Sequence, residues 1–490
     1  MIYFLMIYAV LKLYILLDIY QQAHYSIKEY GKYFLSNILF YDGMVLLAGI
    51  LGLSSTNLAI QIACGCYIIL YSLFYFAVKV KLVFSKRIIR LAVILICFIL
   101  AAACIPYIGG YLLIFIEFAC ILLFYPEQIL SGGLNKKYIT SAKKKLKDYP
   151  GQKIIITGSY GKTSTKLLFQ QVLNVYSQAA ATPKSYNTPL GISKFINAEC
   201  IELYPYLVLE YGASGVGDIR ELCRIAQPDV GVVCEIGFMH MNGFKTIQNV
   251  IEEKMSLVSD CRVAVLNYDN EYIRRYPVKN EIVLSYGLRY GDYNARNIDK
   301  GSFDFYYKNQ FIIHFSTSLV GRHQILNLLA ALSYAHYQGF DLKKLSRAIR
   351  LFHVESNRLE LKKIGNRIIL DDSFNSNLKG FTEALKELGA YSCERILITP
   401  GIVELGSYQK VVYQELIQHI AGNTDIVILV GYRQCRLLYE MLKGYNLEVF
   451  IVDSFREGYA LYTAIVRNLD LSALLIENDL PDLYKRGLRF

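Results

Sequence analysis

The eleven cysteines of this 490-residue chain show no paired CxxC spacing, which excludes the common zinc frameworks. No GxSxG elbow or other nucleophile signature occurs, so nothing marks a serine-type acyl-enzyme mechanism. No arginine-rich patch interleaved with aromatics accompanies the net charge of +11, so the basic balance does not point to nucleic acid. The first eleven residues hold no Lys or Arg and no small-residue cleavage site follows, a poor match to a cleaved signal peptide. Charge is scarce throughout the runs 1–17, 38–54, 57–78, 88–107 and 110–125.

Those five runs are close to the roughly 20 apolar residues that span a bilayer, and with little polar face they predict five transmembrane helices in residues 1–130. Basic residues are retained on the cytoplasmic side. Lys79, Lys81, Lys86, Arg87 and Arg90, and then Lys136, Lys137, Lys143, Lys144 and Lys145, therefore place the segments 79–90 and 131–150 in the cytoplasm. The implied location is the cell membrane, multi-pass, with everything after 130 cytoplasmic. Five of the cysteines lie in the apolar runs, and the whole set reads as reduced, mostly buried thiols. Asp42 and Glu117 are the acidic residues of the runs, and no series of intramembrane charges marks a transport path.

From 151 onward, short apolar runs alternate with helical stretches, at Ile154–Ile156, Tyr206–Leu209, Val230–Cys234 and Val263–Leu266, which predicts a parallel sheet covered by helices. Ligands of such sheets sit at the carboxyl ends of the strands. There Thr157-Gly158-Ser159-Tyr160-Gly161-Lys162-Thr163-Ser164-Thr165 joins the first strand to a helix. Backbone amides around Gly158, Ser159, Tyr160 and Gly161 suit phosphates, Lys162 reaches the terminal ones, and Thr163 and Ser164 open the helix, Thr163 with a hydroxyl for Mg2+. A full Walker A would have glycine at 156, where this chain has Ile156, and a plain glycine-containing turn shares the short pattern. Glu210 ends the next run and His240 follows Glu235-Ile236-Gly237. Each could be a metal ligand or, taken singly, a helix cap and an ordinary loop histidine.

The order of motifs resembles the Mur ligase family, ATP-dependent enzymes that form amide bonds in peptidoglycan precursor synthesis. The D-alanyl-D-alanine-adding, MurF-like type is the nearest in pattern. The resemblance is carried by the GSYGKTST loop, Ala181 to Gly191 (ATPKSYNTPLG), Leu209 to Ala213 (LEYGA), Ile236-Gly237 with His240, Asn267-Tyr268-Asp269, Gly321-Arg322-His323 with Asn327, Asn357-Arg358-Leu359-Glu360, Asp371 to Asn375 (DDSFN) and Thr399 to Gly406 (TPGIVELG). It implies an α/β fold in three parts: a membrane domain at 1–130, a P-loop central ATP-binding domain at 131–353 and a smaller Rossmann-like domain at 354–490. Apolar runs at Ile368–Leu370, Arg395–Ile398, Ile426–Val430 and Val449–Val452 fit the last part.

The resemblance further implies ATP and two Mg2+ ions. Lys162 would hold the terminal phosphates, and Thr163 and Glu210 one Mg2+. His240 and a carbamylated Lys254 would hold the second, although Lys254 also reads as a solvated helix lysine. Asn327 would meet adenine, Arg358 the transferring phosphoryl and Asp372 the ribose. The implied partners are a muramoyl-peptide-like carboxylate acceptor, an amino acid or dipeptide donor and membrane lipid, with no nucleic acid. The membrane helices occupy the place of the family's UDP-binding domain. Glu477-Asn478-Asp479 stands where a lysine and a glycine-serine pair are expected. A lipid-linked or polyglutamate-type acceptor, or an ATPase coupled to transport, are the alternatives these departures leave open.

Overall fold

The computed structural model describes all residues except 24, 29, 32–42, 75–81, 106–107, 260, 300, 320, 354–359, 374–375, 404 and 479–490. The N-terminal region consists of α1 (Ile2–Gln22), α2 (Gly43–Ser54), α3 (Leu58–Phe74), α4 (Lys86–Ala103), α5 (Ile108–Ile114) and α6 (Ile116–Lys147). Leu5, Tyr8, Leu16, Leu95, Ile99 and Phe124 form its core, while Ile62, Leu70, Val93, Leu100 and Leu122 face outward.

The expectation of five membrane spans is met only in part. Among the described residues one helix, α1, is long and apolar enough to cross a bilayer, or two if α5 and the following helix make one bent span. Buried core helices and signal sequences share that length and composition. At 12 residues α2 reaches only about 18 Å, and α4 spends its first turns on Lys86, Arg87 and Arg90. The run expected as a single helix at 110–125 is interrupted at Phe115, and its second part continues as a 32-residue helix to Lys147. The Glu117 side chain lies outside the described part of the structure.

The end of α6 is fastened to α8 (Pro189–Ala198), where Asn197 Nδ2 donates to the Tyr138 carbonyl at 2.9 Å and Lys145 Nζ to that of Ile196 at 3.1 Å. From there the chain enters a nine-stranded sheet in the order β2-β3-β1-β4-β5-β6-β7-β8-β9. Its strands are β1 (Gln152–Thr157), β2 (Ala179–Ala181), β3 (Tyr206–Glu210), β4 (Val230–Val233), β5 (Val263–Asn267), β6 (Ile282–Gly287), β7 (Tyr293–Asp299), β8 (Ser302–Tyr307) and β9 (Gln310–Ser316). Pairing is parallel through β7 and antiparallel for the last three strands.

Alternation along the strands builds two layers, because successive side chains point to opposite faces. Ile154, Ile156 and Val208 face α7 (Lys162–Asn174) and α11 (Arg322–Tyr337). Ile155, Leu207 and Leu209 face α6, α8 and α10 (Ile247–Met255), with α9 (Asp218–Cys223) at the same side. β1 lies between β3 and β4, with Ile156 opposite Glu210 and Val232. The chain therefore changes direction across β1, and the loops after β1, β3 and β4 converge there.

The second sheet has the order β10-β11-β15-β12-β13-β14. The four apolar runs form β11 (Arg367–Asp372), β12 (Glu394–Thr399), β13 (Ile426–Val430) and β14 (Glu448–Val452); two further strands are β10 (Glu360–Ile364) and β15 (Ser472–Glu477). β15 is buried along its whole length between β11 and β12. α12 (Leu378–Gly389) and α13 (Gln409–Asn423) cover one face with Phe381, Leu385, Leu416 and Ile420. The two halves meet through the Phe238 and Tyr408 rings, centroids 5.0 Å apart, and the Lys379–Glu235 ion pair at 3.1 Å. A cleft of about 440 Å³ lies at this junction, lined by Tyr160, Glu235, Phe238, Lys379, Leu405 and His419.

Candidate active site

Gly161 ends the loop after β1 in the left-handed region at φ +79° and caps α7. A Cβ here would stand 2.8 Å from Asn327 Oδ1, so both the turn and the closeness of α11 require glycine. The first amides of α7 thus open onto a narrow cradle at the positive end of a helix. Lys162 Nζ lies over that cradle, donating to the carbonyls of Gly158 at 2.7 Å and Ser159 at 3.0 Å. Ser164 is buried in the first turn of the helix.

The loop is tied to the segment after β4. The Ser159 amide donates to the Glu235 carbonyl at 2.6 Å, its hydroxyl to the Gly237 carbonyl at 3.1 Å, and Tyr160 Oη to that of Phe238 at 3.0 Å. The Glu235 carboxylate accepts from Asn267 and Asn270 and pairs with Lys379 of the second domain. The same residue therefore touches the loop through its backbone and the second sheet's helices through its side chain.

Thr163 Oγ1 donates to Glu210 Oε1 at 3.2 Å, and Asn187 Nδ2 to the same oxygen at 3.3 Å. Glu210 Oε2 lies 3.3 Å from Nζ of the fully buried Lys166, which also donates to the Lys184 carbonyl. Sequence reasoning paired Thr163 with Glu210 and passed over Lys166, whose place one helical turn beyond Lys162 was the available signal. Asn187 was visible only as part of a motif.

Lys254 is 3% exposed on α10 and donates to the Ala213 carbonyl at 3.2 Å. It is thus a buried amine and not the solvated helix lysine that its sequence context also allowed. Burial, then the charge of Lys162, brings its ammonium down to about 7, against the opposing pull of Glu253 and Asp218. The turn at Met241–Phe244 that follows His240 packs on this loop, since a Cβ on Gly243 would meet the Ser214 carbonyl at 1.9 Å. His240 itself is left-handed at φ +54°. No group of three or more His, Cys, Asp or Glu forms a metal-ready cluster among the described residues.

Asn327 stands against Gly161, beside the loop. Asp372 ends β11 in the other sheet, in register with Glu477 of β15, and its carbonyl accepts from the Asn478 amide at 3.1 Å. Burial, with the charge of Asp372 adding to it, pushes the Glu477 carboxyl well above the ordinary carboxylate range. Arg358, with its neighbours Asn357 and Leu359, lies outside the described residues, as do Phe374, Asn375 and Glu404 of the other motifs.

A tight glycine loop at the switch point of a largely parallel sheet, followed by a second α/β sheet, defines a P-loop-like α/β fold with an appended domain. Residues 156–335 match the family model described as Mur ligase middle domain. A UDP-N-acetylmuramoyl-tripeptide--D-alanyl-D-alanine ligase of Borreliella burgdorferi is 28% identical over 294 residues, 57% of this chain and 62% of that protein. The chain thus matches less than two thirds of that relative's length. In fold it is similar to MurF from Acinetobacter baumannii, with TM-score 0.61, 20% identity and coverage of 70% and 77% of the two chains. MurF ligase from Thermotoga maritima in complex with ADP gives 0.59, 22% identity, and 72% and 82%.

Proposed function

We propose that this chain is an ATP-dependent ligase that joins a carboxylate to an amine, with a muramoyl-peptide-like acceptor and an amino acid or dipeptide donor of cell-wall precursor synthesis. The observation that carries this reading is the contact between the Lys162 loop and Glu210 at the switch point of a Mur ligase middle domain.

A carboxylate is a poor acyl donor. In the proposed reaction one of its oxygens takes the terminal phosphoryl of ATP as the bond to ADP breaks. The amine nitrogen then attacks the acyl carbon, the phosphate leaves with the electron pair, and the amine loses a proton. Lys162 offsets charge on the phosphoryl oxygens, and most of the remaining work is alignment of two substrates. The cradle that a Cβ at 161 would fill fits a nucleotide phosphate. The Thr163 hydroxyl and Glu210 carboxylate fit Mg2+, which would supply positive charge there. His240 and Lys254 are proposed for a second ion, Lys254 as its carbamate, because a buried amine whose ammonium is brought down to about 7 is about half neutral at that pH and can react with carbon dioxide. Asn327, Arg358 and Asp372 are assigned to adenine, phosphoryl and ribose. The closeness of the Asn327 amide group to Gly161 supports the first of these.

Residues 1–130 are read as a membrane domain, with 131–353 and 354–490 as the central and C-terminal domains on its cytoplasmic side. The outward-facing apolar side chains of α3 and α4 support this. They also favour a second form of the same reading, in which the acceptor is lipid-linked. Phosphate release by the detergent-solubilised chain tests both, with UDP-muramoyl-tripeptide or a lipid-linked counterpart, D-alanyl-D-alanine, ATP and Mg2+. Release requiring acceptor and amine together, and lost in Lys162→Ala, is expected. Release that ignores both substrates would return the chain to the class of membrane ATPases.

A further inference from the structure

Lys162 and Lys166 stand one helical turn apart on α7, and the fold treats them differently. Lys162 lies over the loop after β1, where its ammonium can turn from the Gly158 and Ser159 carbonyls to a bound phosphate. Lys166 is 0% exposed, its Nζ lies 3.3 Å from Glu210 Oε2, and it donates to the Lys184 carbonyl. Lys184 itself is left-handed at φ +47°, a backbone conformation that a lysine seldom adopts. Lys166 is therefore tied at its tip and packed along its stem.

This arrangement fixes the Glu210 carboxylate. Thr163 Oγ1 and Asn187 Nδ2 donate to Oε1 at 3.2 and 3.3 Å, while Lys166 faces Oε2. Oε1, beside the Thr163 hydroxyl, is thus the oxygen turned to the metal position, and Oε2 is kept by the lysine. The Glu210 side chain is 1% exposed, so water and salt screen the pair weakly.

A cation arriving at Oε1 meets a carboxylate whose charge Lys166 already offsets, and Lys166 cannot withdraw. The positive end of α7 adds charge of the same sign. Across one carboxylate, a divalent ion and an ammonium repel enough to weaken ion binding about tenfold even at the dielectric constant of water, and more in a buried site. Nucleotide phosphates reverse that balance, because they bring several negative charges to the other side of the ion.

We propose that Lys166 is a positioning residue that keeps Mg2+ from the Glu210 site until a nucleotide phosphate is bound, so that the ion enters only with the nucleotide. The existence of the metal site rests on the ligase reading above. The inference goes beyond it by assigning the order of assembly to a lysine that acts through Glu210.

The test follows Mn2+ by electron paramagnetic resonance in the full, detergent-solubilised chain. The parent is expected to bind Mn2+ with ADP, beyond the complex the two form in buffer, and about tenfold or more weakly without it. Lys166→Gln removes the charge and keeps a donor for the Lys184 carbonyl. It is expected to bind Mn2+ alone about tenfold more tightly than the parent, and its binding with ADP shows that it is folded. Lys166→Arg keeps the charge and should keep the nucleotide requirement. In urea, Mg2+ without nucleotide should raise the unfolding midpoint of Lys166→Gln and leave that of the parent in place. Folding of Lys166→Gln only when Mg2+ is present supports the proposal as well, since the ion then replaces the lysine beside Glu210. Parent that binds Mn2+ alone as tightly as with ADP overturns the proposal without recourse to any variant. So does folded Lys166→Gln that binds Mn2+ alone no better than the parent, because the lysine then serves only to hold Glu210. In both cases loss of Mn2+ binding in Glu210→Gln leaves the metal site of the ligase reading intact, whereas Mn2+ binding that survives Glu210→Gln removes that site and the proposal together.

Discussion

Replacing Lys254 by methionine tests how the folded chain treats a buried amine. Its ammonium titrates at about 7 in the folded state against 10.5 as the ordinary value, a difference of 3.5 units caused first by burial and second by Lys162. At about 1.36 kcal/mol per unit this corresponds to roughly 5 kcal/mol. Below pH 7 both folded and unfolded chains carry the charge, so the full cost of burying it is present. Between 7 and 10.5 the unfolded chain binds the extra proton, and stability rises with pH through that window. Above it both forms are neutral and the cost is gone. Lys254→Met removes the charge at every pH and gives up one hydrogen bond to Ala213, worth about 1 kcal/mol. The variant is therefore expected to be more stable than the parent by several kcal/mol near pH 6, with the gap closing as pH approaches 10. Unfolding midpoints across that range, followed by circular dichroism without added bicarbonate, measure it. A gap that does not change with pH would refute the argument, because it would mean that Lys254 keeps the same proton in both states. The same titration has a chemical consequence. At pH 7.5 about three quarters of such a lysine is neutral, against about one in a thousand for an ordinary one. With 13C-bicarbonate the parent should show a carbamate signal by NMR that Lys254→Met lacks.

Gly161→Ala places a Cβ 2.8 Å from Asn327 Oδ1 at φ +79°. A cost of about 1–2 kcal/mol from the left-handed conformation alone is expected, with ADP affinity down at least tenfold by calorimetry; Asn327→Ala in the same chain should recover only the steric part. Lys166→Met leaves the Glu210 carboxylate buried without its cation and should destabilise by about 3–5 kcal/mol. The double change with Glu210→Met should be less harmful in urea unfolding than Lys166→Met alone. Tyr408→Ala removes the ring contact with Phe238 between the two sheets, worth about 1 kcal/mol. Small-angle scattering should then show a larger radius of gyration, and an unchanged radius would mean that the Lys379–Glu235 pair suffices to hold the halves together.

Local pattern made the central strands legible. Ile154–Ile156, Leu207–Leu209 and Val230–Val233 are short, β-branched and bounded by turn residues, and all became buried parallel strands. β15 escaped notice because a strand buried on both faces has no alternation to betray it. The expected membrane spans show the opposite weakness. Hydropathy marked the apolar runs, but helix length is decided by where backbone turns break, as at Phe115.

Within the site, spacing in the sequence determined the loop, its lysine and the carboxylate at the next strand end, because a strand, a tight glycine turn and a helix N-terminus are local features. Tertiary structure decided everything that depends on distance along the chain being folded away. Lys166 is silenced by Glu210, 44 positions later, and Lys254 is buried against Ala213 from a different loop. Glu235 joins the loop after β1 to Lys379 across 144 positions. Composition could announce that lysines and glutamates were present. Only packing determined which of them lost water, and loss of water is what sets a side chain's charge.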